Sequence, residues 1–225
     1  QLNVRKAIFN AINPWEAIDS VWHGTGYISQ GIPNTDASWN MPLAELRKYL
    51  AKPSEAKQYI GDLSPNISKT LTISVADYGD MYIQYGDILA KQLRDVGFEV
   101  FTVPIPILKY PEEIWYGGKY QIFVGPIPPM ASANNYLFSI LHSKGAWNTH
   151  GYSNPALDSL IEKQSETFGG QLRGDIMSDI QRHMLDKAVR FMPLTKISVW
   201  FSWPAVKDFH PNLTANEYFY LAKTS

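Results

Sequence analysis

Residues 71–103 read LTISVADYGDMYIQYGDILAKQLRDVGFEVFTV, and this stretch decides the fold. Leu71, Ile73 and Val75 alternate with Thr72 and Ser74, the period-two pattern of a half-buried strand. Tyr85, Ile88, Leu89, Gln92, Leu93 and Val96 then recur at helical spacing, and Gly97 stands where a helix ends in a left-handed residue. Residues 98–103 are β-branched and aromatic, which predicts a second strand. Strand, helix and strand with short joins make a crossover unit, right-handed in nearly all proteins. A third strand is expected at 120–124, after a short helix at 111–116. The expected class is therefore α/β (an α+β mixed sheet with flanking helices).

Toward the N-terminus, Val4, Ala7, Ile8, Ala11 and Ile12 form one apolar helix face. Asn13 reads as an N-cap, Pro14 takes the favoured first helical position, and Glu16 completes a capping-box-like spacing. Ala17, Ile18, Val21 and Trp22 are the buried stripe of this second helix, and Gly24 is placed to end it. Residues 23–40, HGTGYISQGIPNTDASWN, have no periodicity. A loop this long in a compact domain is functional or docked on something else. Helices are expected over 42–50 and 53–60, the second opened by Ser54 or its neighbours and stopped by Gly61, with a polar connector at 62–68.

Toward the C-terminus, the three prolines of GPIPPMAS (125–132) cannot donate to a ladder, so the sheet ends there. A helix over 134–141 and a loop over 143–152 follow. Asn154 and Pro155 repeat the cap-plus-proline signature and open a helix to about 168. Gly169 and Gly170 break it before a longer helix over 171–190, which Pro193 ends. Residues 195–203 alternate and contain Val199, Trp200 and Phe201, which suggests a strand.

The chain has 225 residues, 45% hydrophobic and 18% charged, a globular composition that fits one large domain or two small ones. Twenty Lys+Arg against twenty-one Asp+Glu leave a formal charge of −1 and no broad footprint for nucleic acid. No apolar run reaches the roughly 18–20 residues that span a bilayer. The lack of cysteine excludes disulfides, thiolate metal sites and a cysteine nucleophile. Because the chain starts at Gln1 without a leader, it is expected to be a processed product or an excised segment.

Chemistry-bearing motifs are sparse. There is no phosphate loop, no GxGxxG after a strand, no GxSxG and no HExxH. Asp77 and Asp80 read as turn and cap residues, while Glu112 and Glu113 suit the dipole of a helix start. His142 and His150 are eight apart, which is not a metal-ligand spacing. Neither cofactor nor metal is expected. The long loops say more, because open α/β folds hold ligands at the carboxyl ends of their strands. Trp39 lies beside Asn40, and Trp147 and Asn148 stand near Tyr152. Indole faces with amides suit an uncharged or peptide-like solute, or else plug their loops onto the core. Both readings stand open.

The order of segments resembles the solute-binding proteins of ABC importers, the peptide/nickel group called family 5. VRKAIFNAINPWEAIDSVWHG (4–24) is similar to that family's helix pair, GIPNTDASW (31–39) to its Pro-then-Trp loop, and KPSEAKQYI (52–60) to the helix before its strand. The crossover at 71–103 has the family's Gly before the second strand. WNTHGYSNPALDSLIEK (147–163) resembles its Tyr-Ser-Asn-Pro stretch. The helix at 176–185 followed by Met192-Pro193-Leu194 resembles its Gln-helix and Pro-Leu strand. Six pieces in the family's order carry the resemblance.

The resemblance implies a periplasmic-binding-protein-like lobe (type II, cluster C). Family members are about twice this length and fold as two lobes around a cleft. Residues 1–225 would be a single lobe, with 1–195 the α/β lobe proper and 196–225 a return segment toward the hinge and the missing second lobe. The implied function is the non-enzymatic, extracytoplasmic solute-binding component of an ABC importer, lipid-anchored or secreted, which closes by hinge motion and delivers solute to the permease subunits. The solute would be an oligopeptide, an oligosaccharide or a metal chelate. Trp39, Asn134, Asn135, Trp147, Asn148 and Tyr152 are the residues expected on its wall. One departure matters. Peptide-binding members commonly carry an aspartate just after the third strand for the peptide's ammonium, but GPIPPMASANN (125–135) holds no acid. That counts against ordinary peptides and leaves sugars, nickel chelates and other solutes open. Arg5 and Asp158 also match family positions and read as structural. Two rivals are a carbohydrate-active hydrolase using Asp77, Asp80 or Glu112 as paired carboxylates, and an interaction module with a flat apolar patch.

Overall fold

A computed structural model describes residues 1–30, 32, 37–127, 130, 132–168, 170–190, 195–196, 200–210 and 222–224. The chain opens with the expected helix pair, α1 (Leu2–Ala11) and α2 (Pro14–Trp22). The expected capping box does not form, since the Asn13 side chain caps nothing. Instead the Asn13 N–H donates to Gln92 Oε1 at 3.0 Å, and Gln92 Nε2 donates to the Asn13 carbonyl at 3.2 Å and to Glu16 Oε2 at 2.8 Å. A long-range amide has replaced the local cap and ties α2 to the crossover helix. His23 (φ 49°) and Gly24 (φ 77°) end α2 with two left-handed residues.

Within the loop that follows, β1 (Gly26–Tyr27) pairs antiparallel with β5 (Thr195–Lys196). Residues 200–203 are not in a strand, so the strand expected over 195–203 survives only as β5 in the described part, and 197–199 lie outside it. The helix expected over 42–50 is a single turn, α3 (Leu43–Leu46). Ala51 then reverses the chain (φ 56°), and the Ala51 and Lys52 N–H groups donate to the Ile12 and Asn10 carbonyls at the end of α1. α4 (Pro53–Gly61) is opened by Lys52, with Pro53 in its first turn, and not by Ser54. Its C-cap is Asp62, one residue past the expected stop.

The crossover unit forms as read. β2 (Thr70–Asp77), α5 (Asp80–Val96) and β3 (Glu99–Pro106) are joined by Gly97 at φ 112°, and β4 (Ile122–Val124) completes a parallel sheet of order β3-β2-β4. Leu71, Ile73 and Val75 face α1, α4 and α5, packing on Ala7, Ala56, Leu89 and Leu93. The half-buried expectation needs correcting, because Ser74 is only 6% exposed and Ala76 is buried with it. Helices cover the second face too, as parallel sheets require. There Ala76 and Ile105 meet Tyr110, Ile114, Tyr136, Leu157 and Ile180 in a second core. Gly86 lets α5 sit close to the sheet: a Cβ there would be 2.7 Å from Val75 Cγ2.

β4 stops before the proline stretch, of which 128–129 and 131 lie outside the described residues. Residues Pro111–Tyr116 and Leu137–Leu141 form wide helical turns, the latter continuing α6 (Ala133–Tyr136). α7 (Pro155–Glu166) is capped as predicted, Asn154 Oδ1 accepting from the N–H groups of Ala156 and Leu157 at 2.9 and 3.2 Å. It ends at Glu166, short of 168, and the expected break at Gly169 is outside the described residues. α8 (Gly170–Asp186) stops before the expected 190. Ala188 is left-handed (φ 45°), and Arg5 Nε and Nη2 donate to the Ala188 and Lys187 carbonyls at 2.8 and 3.2 Å. Arg5 thus ties α1 to the chain after α8 through backbone carbonyls. β6 (Val206–Lys207) pairs with β7 (Lys223–Thr224). Pro193, the Met192-Pro193-Leu194 match and most of 199–221 lie outside the described residues.

Candidate functional site

Side chains that follow the carboxyl ends of the strands form a continuous aromatic ribbon. Tyr78 stands just past β2, Tyr110 past β3, and Phe123 on β4. Tyr78 and Tyr110 meet edge to face at 5.7 Å between ring centroids, Tyr110 and Phe123 at 6.4 Å, and Phe123 and Trp115 at 5.5 Å. Trp115 then meets Trp147 at 6.0 Å, and Trp147 lies 5.5 Å from Tyr116. Trp115 and Tyr110 are buried in the second core, whereas Tyr116 is 76% exposed. Such a ribbon presents aromatic faces and edges at its open end and is anchored at the other.

Of the residues expected on the wall, Trp147 belongs to this ribbon, its N–H donating to the Ser139 carbonyl at 2.9 Å. Trp39 ends a 3-10 turn (Ala37–Trp39) laid on α8. Gln181 Nε2 donates to the Trp39 carbonyl at 2.8 Å, the Arg173 guanidinium is 5.1 Å from its ring, and a Cβ on Gly174 would be 3.2 Å from its Cδ1. Its Nε1–H is buried without a partner among the described residues. Asn148 donates from Nδ2 to the His142 and Tyr152 carbonyls at 3.0 and 2.8 Å, and its Oδ1 is buried without a described partner. The Tyr152 hydroxyl is 3.0 Å from His183 Nε2. Asn134 Oδ1 accepts from Gln164 Nε2 at 2.6 Å, and Asn135 is exposed. Trp39, Trp147 and Tyr152 thus pack on one core.

The 143–152 loop is pinned from below. Asp158 accepts from the Ser143 N–H at 2.9 Å and from its hydroxyl, and His142 Nε2 is 3.3 Å from Glu162 Oε1. Asp158 therefore holds the loop against α7, in line with its structural reading. The three acids weighed for hydrolysis are exposed and stand on separate elements: Asp77 ends β2, Asp80 opens α5, and Glu112 lies in the first wide turn. Among the described residues, no three His, Asp or Glu side chains converge on a metal position.

One residue escaped the sequence reading altogether. Arg190 is only 7% exposed, and its guanidinium carbon is 5.7 Å from the Trp115 ring and 5.5 Å from the Phe123 ring. It hydrogen-bonds Tyr136, whose own hydroxyl donates to the Gln30 carbonyl at 3.2 Å. Burial raises the Tyr110 and Tyr136 hydroxyls, and Arg190 opposes that rise in both. Burial, then the Arg190 charge, pushes His150 down to about 4, against a small opposing pull from the Ile140 carbonyl. Nothing in the local pattern of residues 187–193 marks Arg190. The ribbon itself was partly legible, since Tyr78 stands just after a predicted strand.

Among solved structures, the chain is similar to substrate-binding proteins of ABC transporters. Over its whole length it matches a dipeptide-binding protein of a Pseudoalteromonas species in complex with Met-Leu, with a TM-score of 0.75 and 18% identity, covering 45% of that chain. It likewise matches throughout the oligopeptide-binding protein AppA of Bacillus subtilis in complex with a nonapeptide, at 0.71 and 16%, covering 48% of it. A periplasmic oligopeptide-binding protein of Thermotoga maritima with mannohexaose bound matches 95% of the chain at 0.71 and 20%, covering 44% of that protein. The chain spans less than half the length of these structures. No family profile matches it, nor does any curated protein. The fold is that of periplasmic-binding-protein-like substrate-binding proteins, as expected from the order of the segments.

Proposed function

We propose that the chain is one lobe of the extracytoplasmic solute-binding component of an ABC importer. The observation that carries this is the end-to-end match to just under half of each of two peptide-binding proteins of that fold. Residues 1–195 form the α/β lobe and 196–225 the return toward the hinge. The aromatic ribbon at the carboxyl end of the parallel sheet supplies one wall of the cleft. Trp147 with exposed Tyr116 offers the stacking surface, while Trp39, Tyr152 and the amides of Asn134, Asn135 and Asn148 border it. Contacts made to both lobes only in the closed form favour closure when solute is present. The captured solute is then handed to the permease subunits, with no chemistry performed on it.

The solute is a small molecule from the oligopeptide, oligosaccharide or metal-chelate classes. The neighbour with mannohexaose bound supports keeping oligosaccharides among them. Thermal unfolding of the full-length protein tests the proposal across short peptides, oligosaccharides and nickel chelates. A saturable rise in Tm with one class is expected, and unmoved curves with all three overturn the receptor reading.

A further inference from the structure

We propose that Pro104, Pro106 and Arg94 close the outer edge of β3 to strand addition and so keep two copies of this chain from joining edge to edge. Among the described strands, β3 borders the parallel sheet, and residues 101–104 are exposed. Phe101 and Val103 are the large apolar side chains of that stretch, so a strand-forming, apolar surface accompanies the edge. Such an edge is a template for pairing with another chain unless something blunts it.

Register decides which backbone groups of β3 face outward. The Glu99 N–H donates to the Lys69 carbonyl at 3.0 Å, and Thr70 is the residue opposite Glu99 in the ladder. Alternate residues of a parallel strand turn both backbone groups to the same neighbour, so Glu99, Phe101, Val103 and Ile105 serve β2. Val100, Thr102, Pro104 and Pro106 turn theirs outward. The far side of β2 agrees, because the Thr72 N–H points toward β4 and donates to Gln121 Oε1 at 2.7 Å. Both prolines of β3 thus fall on outward positions, where the sheet needs no N–H and a newcomer is offered none. Nearer the start of the strand, Arg94 of α5 occupies the outward Val100 carbonyl, donating from Nε at 3.1 Å and also from Nη2. Thr102 is the one outward residue whose N–H and C=O are both spared by these devices, too short a stretch to seat a strand.

The test follows the full-length protein by sedimentation velocity, which reads self-association, and by Tm, which reads folding. Pro104→Thr combined with Pro106→Val should lower the dissociation constant for self-association by about tenfold or more. Adding Thr102→Pro to that pair removes an outward N–H without touching the β2 ladder, and should return association to its original level. In the unaltered background Thr102→Pro should leave Tm nearly unmoved, whereas Val103→Pro, whose N–H serves β2, should lower it sharply. Arg94→Met frees the Val100 carbonyl and should raise association without either proline change; it alone decides if the double proline variant does not fold. Unchanged association in the folded double variant, or in Arg94→Met, overturns the proposal. So does an increase that Thr102→Pro fails to reverse, or an equal loss of Tm from proline at 102 and at 103. No solute enters these measurements, so the receptor reading neither stands nor falls with them.

Discussion

At Asn148 both amide hydrogens are spent on the chain's own carbonyls, those of His142 and Tyr152. Asn148→Ala should therefore cost about 1 kcal/mol of stability, because the Tyr152 carbonyl loses its donor while the His142 carbonyl keeps only the Gly145 N–H. Urea unfolding measures this, and an unchanged midpoint would show that the loop is held by Asp158 alone. His150 makes a pH prediction. Its pKa lies near 4 in the folded chain against 6.5 ordinarily, so the unfolded chain binds more protons between those values. Stability from this group is complete above pH 6.5 and is lost as pH falls toward 4. His150→Gln should flatten the profile in that window, and an equally steep fall in the variant would assign the acid sensitivity elsewhere. The Asn148 bonds stay within its own loop, whereas the shift of His150 depends in part on Arg190, distant in the chain.

Among the elements, two asparagines with the same signature behave differently. Asn154 caps α7 with its side chain, whereas Asn13 precedes α2 without capping it. Asn154→Ala should cost about 1 kcal/mol and Asn13→Ala distinctly less, judged by chemical denaturation. The sequence pattern was the same at both sites, but only at α2 did a distant amide, Gln92, reach the helix end. The α5–β2 contact gives a second test. Gly86→Ala should destabilise by about 1–3 kcal/mol, since its Cβ meets Val75 Cγ2, and Val75→Ala should relieve much of the loss in the double variant. Simple additivity of the two losses would deny the contact. The same closeness to helices explains why β2 is covered on both faces while its alternation suggested one.

For the molecule as a whole, a lone wall is expected to bind feebly. The 225-residue chain should take up any solute of the full-length protein at least about a hundredfold more weakly, because half the contacts are missing while most of the ordering cost remains. Equal affinities by calorimetry would place the entire site on this lobe. Phe201 and Trp203 are 95% and 78% accessible, and on the proposed two-lobe reading they are surface that the other lobe would cover. Periodicity, proline and glycine placement determined the crossover, the parallel sheet, the helix pair and the end of β4, because these features are set by neighbours a few residues apart. Segment order was enough to anticipate the architecture. Only tertiary structure decided that Trp115, Phe123, Trp147 and Arg190 share one place, and that the Asn13 cap is forfeited to Gln92. Those contacts join residues distant in the chain, and their energies come from burial and charge in a shared interior that no local spacing records.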